Sequence, residues 1–470
     1  MSGFIASSQN LQTLTFFNGS NGMYPSALTM GNDGNLYGTT SRGGNTNLNN
    51  GNGYGTVFQV TTNGILTTLV SFNGTNGGSS PNGLTLGNDG NFYGTTAYGG
   101  SYYGTVFQVT TNGTLTTLLS FNGLNGEYPY DLLTLGADGN FYGTTSLGGM
   151  NHTFQDPSGA GTVFQVTTNG TLTTLISFAG NNNGFGGNGL TLGNDGNFYG
   201  TTPYGGDSNL GSVVQVTTNG TLTTLVSFNG ANGANNNGNG IPQNAKLTLG
   251  NDGNFYGYTP LGGNTNLNNG NGYGTVFQVT TNGILTTLVS FNGTNRENGQ
   301  NGLTLGNDGN FYGTTFYGGS NNLGTIFQMT TNGTLTTLVS FNANTGYGAI
   351  GLTLGNDGNF YGTTGIGGNT NLNSGYGYGT VFRLSLSTIT PPPITTPTLP
   401  RLTLQFLAGY PLLTLYGTLG DTYTIQCTTN LAVPNWTSML IVPNLSISRF
   451  QMIDPTRIGL SARFYRALQQ

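Results

Sequence analysis

Seven aspartates recur at one position of a repeated phrase, and this regularity makes them the first candidates for chemistry. Each lies in a copy of G-N-D-G-N-F-Y-G-T-T or a close variant of it, and together they are half of the 14 acidic residues. Several oxygen ligands that converge on one point would bind Ca²⁺. Each copy offers only one carboxylate, however, and Asp-Gly is a favoured hairpin turn. We therefore expect turn residues and no cofactor, with calcium shared between repeats as a lesser hypothesis. The seven are Asp33, Asp89, Asp138, Asp195, Asp252, Asp308 and Asp357.

Groupings of residues that could carry out catalysis are sparse elsewhere in the repeats. Glycoside hydrolysis needs two carboxyl groups that face one cleft. His152 and nearby Asp156 lie in the longest loop, where solvated residues are expected. These observations disfavour an enzyme, although the fold class alone does not exclude one that acts on polysaccharide. The acids outside the turns of the repeats are Glu127, Asp131, Asp156, Asp207 and Glu297.

Tyrosine and asparagine are concentrated in the segments that differ between the repeats. Variable loops on a rigid scaffold are the usual location of binding residues. Amide groups hydrogen-bond to sugar hydroxyls, and tyrosine rings stack on the C–H faces of sugars. The sequence therefore predicts a site for a glycan or a surface polymer. The candidate binding residues are Tyr54, Tyr98, Tyr102, Tyr103, Tyr204, Tyr273, Tyr317, Tyr376 and Tyr378.

Two other interpretations of these loops remain open. In the first, the tyrosines cover loop backbone and the asparagines simply permit tight turns. In the second, the uncharged surface makes protein–protein contacts, and the molecule is a self-assembling structural surface protein. The sequence thus predicts a non-catalytic binding or structural protein, whose partners are a glycan, a surface polymer or other copies of the chain.

Charge is scarce throughout the chain, and this bounds its partners. Only 5% of the residues are charged, the net charge is −5, and the basic residues of the repeats are scattered. Nucleic acid is therefore excluded as a partner, because phosphate binding needs clustered Lys and Arg. No apolar run approaches the ~20 residues of a membrane-spanning helix. The single cysteine, Cys427, excludes an internal disulfide framework and is expected to be buried in a strand.

The start of the chain carries no recognisable secretion signal. Residues 1–8 lack a charged n-region and an apolar h-region. Repeats rich in Thr, Asn and Gly with so few charges nevertheless look extracellular. We therefore expect an extracellular or cell-surface location, with a signal peptide already removed.

Short strands in a unit of about 50 residues position these side chains. Successive units begin 49 to 57 residues apart. In the second unit, strands are predicted at 83–87, 91–96, 104–110 and 115–121, with hairpin turns at the D-G and N-G pairs. Seven such units predict an all-β fold, a seven-bladed β-propeller. The units begin near Leu28, Leu84, Leu133, Leu190, Leu247, Leu303 and Leu352.

Strand order assigns the connections to two faces of the predicted ring. The D-G and N-G turns fall on one face, which is nearly identical from unit to unit. The loops between second and third strands and the crossings between blades fall on the other, which we call the variable face. The candidate tyrosines belong to the variable face.

The ends of the repeat array predict how the ring closes. The seventh unit lacks its L-T-T-L-V-S-F strand, and residues 11–17 supply a similar one, which would leave no open edge. We expect a propeller over residues 1–386, a Pro/Thr-rich linker over 387–400 and a small β-rich, sandwich-like domain over 401–470. Trp436 is expected to anchor the core of that last domain.

The phrase D-G-N-x-Y-G-T-T, followed by G-T-V-F and T-T-L, resembles the GloVer tandem repeat, named for Gloeobacter and Verrucomicrobia. The resemblance covers residues 11 to about 386 and departs from the pattern at Ala137, Ser212 and Tyr258. It implies a secreted or surface-attached repeat protein and brings no established reaction.

The segment after the linker is similar to the small β module that ends many secreted verrucomicrobial-type proteins. The matching residues are Tyr423-Thr-Ile-Gln, Asn430-Leu, Trp436 and Arg463-Phe-Tyr-Arg.

Overall fold

A computed structural model describes two compact units, Met1–Ser387 and Thr388–Gln470. His152, Asp156, Glu297 and the expected linker lie outside the described residues. Those described are 9–100, 102–150, 159–178, 186, 189–234, 246–292, 302–369, 371–386, 401–407, 410–416, 422–430, 435–442, 449–453 and 464–469.

The first unit consists of short β-strands joined by turns and loops. Its described part contains 29 strands and three single-turn 3₁₀ segments, Asn49–Gly51, Asn268–Gly270 and Asn373–Gly375. The strands in chain order are β1 (Gln9–Phe16), β2 (Met23–Pro25), β3 (Thr29–Met30), β4 (Leu36–Arg42), β5 (Thr56–Val60), β6 (Leu66–Ser71), β7 (Ser79–Leu86), β8 (Phe92–Tyr98), β9 (Thr105–Val109), β10 (Leu115–Ser120), β11 (Thr134–Leu135), β12 (Phe141–Thr145), β13 (Thr162–Val166), β14 (Leu172–Ser177), β15 (Leu190–Leu192), β16 (Phe198–Thr202), β17 (Ser212–Val216), β18 (Leu222–Ser227), β19 (Thr248–Leu249), β20 (Phe255–Thr259), β21 (Thr275–Val279), β22 (Leu285–Ser290), β23 (Thr304–Leu305), β24 (Phe311–Thr315), β25 (Thr325–Met329), β26 (Leu335–Ser340), β27 (Tyr347–Leu354), β28 (Phe360–Ile366) and β29 (Thr380–Leu386).

These strands form seven antiparallel sheets that follow one another along the chain. The second sheet, β7-β8-β9-β10, shows the pattern, with neighbours in sequence paired as neighbours in space. The seventh sheet has the order β1-β29-β28-β27. In it the first strand of the chain pairs antiparallel with the last strand of the unit, from Gln9 opposite Leu386 to Phe16 opposite Thr380. The all-β class predicted from the sequence is confirmed. The tandem four-stranded sheets are confirmed for six of the seven, and the first sheet has a fifth strand because β2 and β3 both pair with β4.

The local sequence explains the turns and the buried second strands. Gly34 has φ +77°, which a D-G turn requires and which other residues adopt at a cost. The F-Y-G-T-T strands are buried along their whole length because sheets pack on both faces. A Cβ at Gly38 would lie 2.6 Å from the Phe58 ring, so only glycine fits there.

The cores lie between consecutive sheets. The tyrosine of each F-Y-G-T-T strand packs on the phenylalanine of the next sheet, as Tyr37 does on Phe92 with ring centroids 4.2 Å apart. The first sheet carries Leu36 instead of phenylalanine, and there Tyr361 of the seventh sheet belongs to the same core cluster as Leu36. The same type of packing therefore occurs between the last and first sheets.

One hydrogen bond repeats between successive sheets. A threonine in the first strand donates its hydroxyl to a leucine carbonyl of the next sheet, at 2.5–2.6 Å. The donor of the seventh sheet finds its acceptor in the first. The pairs are Thr29 to Leu84, Thr85 to Leu133, Thr134 to Leu190, Thr191 to Leu247, Thr248 to Leu303, Thr304 to Leu352 and Thr353 to Leu28.

The second unit contains two three-stranded antiparallel sheets, β30-β31-β34 and β33-β32-β35. Cys427 is buried, as expected. Trp436 is half-buried rather than in the core, because the Arg466 guanidinium lies 4.3 Å from the centre of its ring. The core consists of Leu413, Leu415, Tyr423, Ile425 and Val442. The strands are β30 (Arg401–Leu407), β31 (Tyr410–Tyr416), β32 (Tyr423–Thr428), β33 (Thr437–Val442), β34 (Arg449–Ile453) and β35 (Phe464–Gln469).

Across the described ranges, no helix has the length and apolar character that a membrane crossing requires.

Candidate functional site

Each turn aspartate is the centre of a hydrogen-bond network inside its own sheet. In the first sheet, Asp33 Oδ2 accepts from the Tyr37 hydroxyl and from Asn35 Nδ2, both at 2.8 Å. The backbone N–H of Asn35 donates to Asp33 Oδ1 at 3.1 Å. Gln59 Nε2 donates to the Tyr37 hydroxyl at 2.7 Å. The bonds from asparagine and tyrosine recur at the other six aspartates.

The network shifts the pKa values of its acid and its tyrosine in opposite directions. Burial raises the pKa of Asp33, but the hydrogen bonds from Asn35 and Tyr37 together outweigh it, so the pKa lies below its ordinary value. Burial and the bond to Asp33 raise the pKa of Tyr37 to about 12. The carboxylate oxygens are thus engaged within the turn. The described part of the chain holds no group of three or more His, Cys, Asp or Glu that could bind a metal ion.

Four of the nine candidate tyrosines lie at one equivalent position, directly before the glycine that leads into the third strand. All four are half-buried and pack against the cores between sheets. In the other three sheets this position holds alanine or leucine, at Ala160, Leu210 and Leu323. A position shared by these residue types serves packing. The four tyrosines are Tyr54, Tyr103, Tyr273 and Tyr378.

Four of the other five candidates lie in loops of the variable face, whereas Tyr98 ends β8, and the five are not all brought together. Tyr102 is 83% exposed at a loop tip. Tyr317 and Tyr376 both lie close enough to Tyr347 to influence its pKa. Tyr204 is half-buried. Tyr98 and Tyr378 both contact residues that line a cavity. The Tyr98 hydroxyl lies 3.1 Å from that of Tyr130, and the Tyr378 ring contacts Tyr24.

Asparagines of the long loops hold the loops themselves in shape. Asn49 Nδ2 donates to the Gly53 carbonyl at 2.8 Å, and the equivalent bonds of Asn268 and Asn373 measure 2.7 and 2.8 Å. The side chains of Asn45, Asn264 and Asn369 accept from backbone N–H groups two residues on. Many amides of this face are therefore used internally.

Six of the seven sheets contribute to one cavity of about 290 Å³. Most of its lining residues belong to the crossings that lead into a first strand. The start of β7 pairs with the end of β8, at Ser79 opposite Tyr98, so these crossings lie on the variable face. The lining residues are Tyr24, Pro25, Ser26, Ala27, Ser41, Pro81, Asn82, Tyr130, Asp131, Leu132, Gly189, Lys246 and Ile350.

Two oppositely charged side chains line the cavity. Asp131 Oδ2 accepts a hydrogen bond from the Thr144 hydroxyl at 3.2 Å, and the backbone N–H of Gly189 also donates to this carboxyl. Lys246, the only lysine of the chain, attracts the Asp131 carboxylate electrostatically. Both side chains are half-buried, and both line the cavity.

Burial governs the protonation of both groups. It raises the pKa of Asp131 to about 6, although Thr144, Gly189 and Lys246 oppose the shift. Burial lowers the pKa of Lys246, and the attraction of Asp131 opposes that shift. Titratable groups with perturbed pKa values in a cavity are characteristic of functional sites, although structural ion pairs also produce them.

Tyrosine rings form part of the cavity wall. Tyr130 stacks with Tyr128, with ring centroids 6.2 Å apart. Tyr24 makes an edge-to-face contact with Tyr378 at 6.4 Å. Tyr24 and Tyr128 have φ of +57° and +54°, in the left-handed region that costs a bulky residue about 1–3 kcal/mol. Such conformations cluster at binding sites, so they agree with a functional cavity.

In the sequence, Asp131 is one of several isolated acids and Lys246 one of several scattered cations. A signal was nevertheless present, because both lie one or two residues before a repeat leucine, where other units have small residues such as Ala27 and Gly83. The signal was missed because the two residues are separated by two repeats. Only the arrangement of the sheets brings their crossings together.

Three solved structures are similar to this chain at low identity. The gluconolactonase XC5397 of Xanthomonas campestris is 11% identical with a TM-score of 0.40, and the match covers 80% of this chain and 90% of that one. PorZ, a surface component of the type-IX secretion system of Porphyromonas gingivalis, is 12% identical with a TM-score of 0.47, covering 93% and 55%. A Dyadobacter fermentans protein of unknown function is 10% identical with a TM-score of 0.44, covering 80% and 99%. These TM-scores are too low to assign a function to this chain.

No curated protein matches the sequence. The sequence profile of one family, described as the Gloeobacter/Verrucomicrobia repeat, matches residues 4–156 and 236–391.

Proposed function

The chain belongs to the Gloeobacter/Verrucomicrobia repeat family, and we propose that its first unit is a closed seven-bladed β-propeller that binds a carbohydrate on its variable face. In this proposal the chain is a non-catalytic protein of the cell exterior. Its second unit is a small β-sandwich domain that follows the propeller.

Two observations support a closed ring. The threonine-to-leucine hydrogen bond runs from each sheet to the next and returns from Thr353 to the carbonyl of Leu28. The pairing of β1 with β29 places the two ends of the repeat array in one sheet. A ring closed by main-chain hydrogen bonds leaves no long sheet edge unpaired.

The observation that carries the binding proposal is the convergence of Asp131, Lys246 and Asn82 in one cavity beside the ring of Tyr130. A carboxylate accepts hydrogen bonds from two adjacent sugar hydroxyls, and an ammonium donates to sugar oxygens. Asn82 Nδ2 already donates to the Pro129 carbonyl, so this amide shapes the cavity wall rather than donating to the sugar. The tyrosine ring offers a flat apolar face for the C–H side of the sugar.

The volume of the cavity limits the size of the ligand. Small-molecule sites commonly measure about 300–1,000 Å³. The cavity, at about 290 Å³, lies just below this range. One sugar unit of a longer glycan therefore fits best, and the exposed loops of the variable face would contact the units on either side.

A glycan array followed by calorimetry tests this proposal. We expect the wild type to bind a glycan, and Asp131→Asn and Tyr130→Ala to weaken that binding at least tenfold, about 1.4 kcal/mol. Ile65→Ala is the matched control, because this exposed side chain follows an N-G turn on the face opposite the variable face. Absence of any glycan signal, together with concentration-dependent assembly in light scattering, would instead favour the self-assembling structural protein.

A further inference from the structure

Lys246 has an unusual position for a lysine. It carries the only side-chain amine of the chain, and it lines the cavity of the first unit rather than the solvated surface. Lysine is almost never buried unless it is paired. Among the described residues, Asp131 is the partner that acts on it, through Coulomb attraction.

The surroundings of Lys246 give it a larger share of neutral amine than a solvated lysine has. Burial lowers the pKa of Lys246, and a desolvated neutral amine is a nucleophile toward carbonyl carbon. Asp131 lines the same cavity and remains partly protonated near pH 6, so it is able to donate a proton. An amine and a proton donor are the two groups that imine formation requires.

We propose that Lys246 Nζ captures the carbonyl group of a hydroxyaldehyde, such as the open-chain form of a reducing sugar, as a reversible imine inside this cavity. The inference rests on the proposed carbohydrate binding for the nature of the natural ligand. The reaction at Lys246 is tested independently of it.

The chemical step balances without an oxidant or a reductant. The neutral amine of Lys246 adds to the aldehyde carbon, and one amine proton moves to the former carbonyl oxygen. The resulting hydroxyl group leaves as water with a proton from the Asp131 carboxyl. The products are a protonated imine on Lys246, one molecule of water and the Asp131 carboxylate, which stabilises the positive charge of the imine.

Reductive trapping of the full chain tests the step. The protein is incubated with glycolaldehyde and cyanoborohydride, and the modified residues are located by peptide mass mapping. We expect Lys246 to be labelled at pH 7 several-fold faster than free Nα-acetyl-lysine, because burial lowers its pKa and leaves more of the amine neutral. The α-amino group of the chain, the other amine present, is an internal reference.

Two variants serve as controls, each checked for an unchanged circular dichroism spectrum. Lys246→Arg keeps the positive charge but cannot form an imine, so only the α-amino group should be labelled. Asp131→Asn removes the proton donor and also the attraction that raises the pKa of Lys246. Once the neutral fraction of the amine, taken from the pH profile of each variant, is corrected for, trapping of Lys246 at pH 6 should be several-fold slower. Labelling of Lys246 no faster than of Nα-acetyl-lysine, or corrected labelling unaffected by Asp131→Asn, overturns the proposal.

A comparison of two ligands separates this inference from the proposed function. A reducing sugar opens to an aldehyde, whereas its methyl glycoside does not. Glycoside binding without Lys246 labelling would overturn the imine and leave the carbohydrate site intact. Lys246 labelling by glycolaldehyde without binding of any glycan would support the imine and overturn the carbohydrate site.

Discussion

At the scale of the residue, burial of Asp131 and Lys246 lowers the folding stability of the first unit. Transfer of a charge out of water is unfavourable unless a partner compensates it. Asp131 receives hydrogen bonds from Thr144 and Gly189, yet its pKa remains raised to about 6. Functional groups commonly lower the stability of a protein in this way.

The pKa of Asp131 predicts that Asp131→Asn stabilises the protein at high pH. The carboxyl ionises with an ordinary pKa of 3.8 in the unfolded chain and with a pKa of about 6 in the folded protein. Its contribution to stability is therefore fully present below pH 3.8 and is lost as the pH rises through 6. We expect Asp131→Asn to raise the free energy of unfolding at pH 8 by about 1–3 kcal/mol, since the accessible part of the carboxyl keeps some solvation.

Urea unfolding of the wild type and of Asp131→Asn at pH 8 and pH 3.5 measures this effect. The two curves should differ at pH 8 and coincide at the lower pH. The matched control is Asp207→Asn, which changes an exposed aspartate of the variable face. A variant that is less stable than the wild type at pH 8 would show that the carboxylate has better partners than burial suggests.

At the scale of the element, the turn network couples the first three strands of each sheet. The aspartate lies between the first and second strands, the tyrosine on the second and the glutamine on the third. Tyr37 and Gln59 face each other because the register of β4 and β5 pairs them directly. The seventh sheet replaces the glutamine with Arg383, whose Nη2 donates to Gln12 Oε1 of β1 at 2.6 Å.

These networks predict a loss of stability in alkali. Burial and the aspartate raise the pKa of Tyr199 to about 12, and the equivalent tyrosines shift in the same direction. A folded-state pKa raised above the ordinary 10.0 of tyrosine means that the stability is fully present below pH 10 and is lost as the pH rises through 12. We expect the urea midpoint to fall steeply across this interval, while ultraviolet absorbance reports a late-titrating class of tyrosines.

Tyr199→Phe provides the control for the alkaline transition. It keeps the ring that packs on Phe255 but removes the hydroxyl that bonds Asp195. We expect a loss of about 1 kcal/mol at pH 7 and a smaller further loss in alkali than in the wild type. Tyr102→Phe, at an exposed position, should change neither value. Early titration of all tyrosines together would argue against the network.

The sequence allowed the repeated parts to be predicted, because each depends on neighbours within one unit. The D-G turns, the F-Y-G-T-T strands and the hairpins follow from turn chemistry and alternation alone. The partnership of Tyr37 with Asp33 was not predicted, because it requires a strand register and a side-chain direction. The candidate tyrosines were chosen by residue type, and Tyr54 and Tyr103 turn out to be half-buried against cores. The cavity could not be predicted because it forms only where crossings from six sheets meet.

At the scale of the molecule, the seam between β1 and β29 joins residues more than 360 positions apart, such as Thr13 and Phe382. The pairs along this seam are main-chain contacts of a kind that the other sheets make between neighbouring strands. Apolar contacts accompany them, since Leu11 packs against the core that contains Phe382. The seventh sheet therefore depends on both ends of the first unit.

Removal of residues 1–16 should destabilise the protein far more than the short length of this segment suggests. The truncated chain leaves β29 as an unpaired edge and uncovers part of the core beneath β1. We expect a clearly lower melting temperature and concentration-dependent association, measured by calorimetry and light scattering. Removal of residues 1–8 alone leaves β1 (Gln9–Phe16) intact and is the matched control for loss of the strand. Equal stability of both truncations would show that the seam contributes nothing.

The seam also imposes an order on events during synthesis. The ribosome makes β1 before the other strands of the unit, yet its partner β29 ends at Leu386. The pairing of β1 is therefore delayed until β29 has been synthesised. Throughout that interval a nascent chain that folds as it emerges carries an unsatisfied edge at its beginning, open to capture by another nascent chain. Export in an unfolded state, with folding begun only after both partners are present, would spare the protein this hazard.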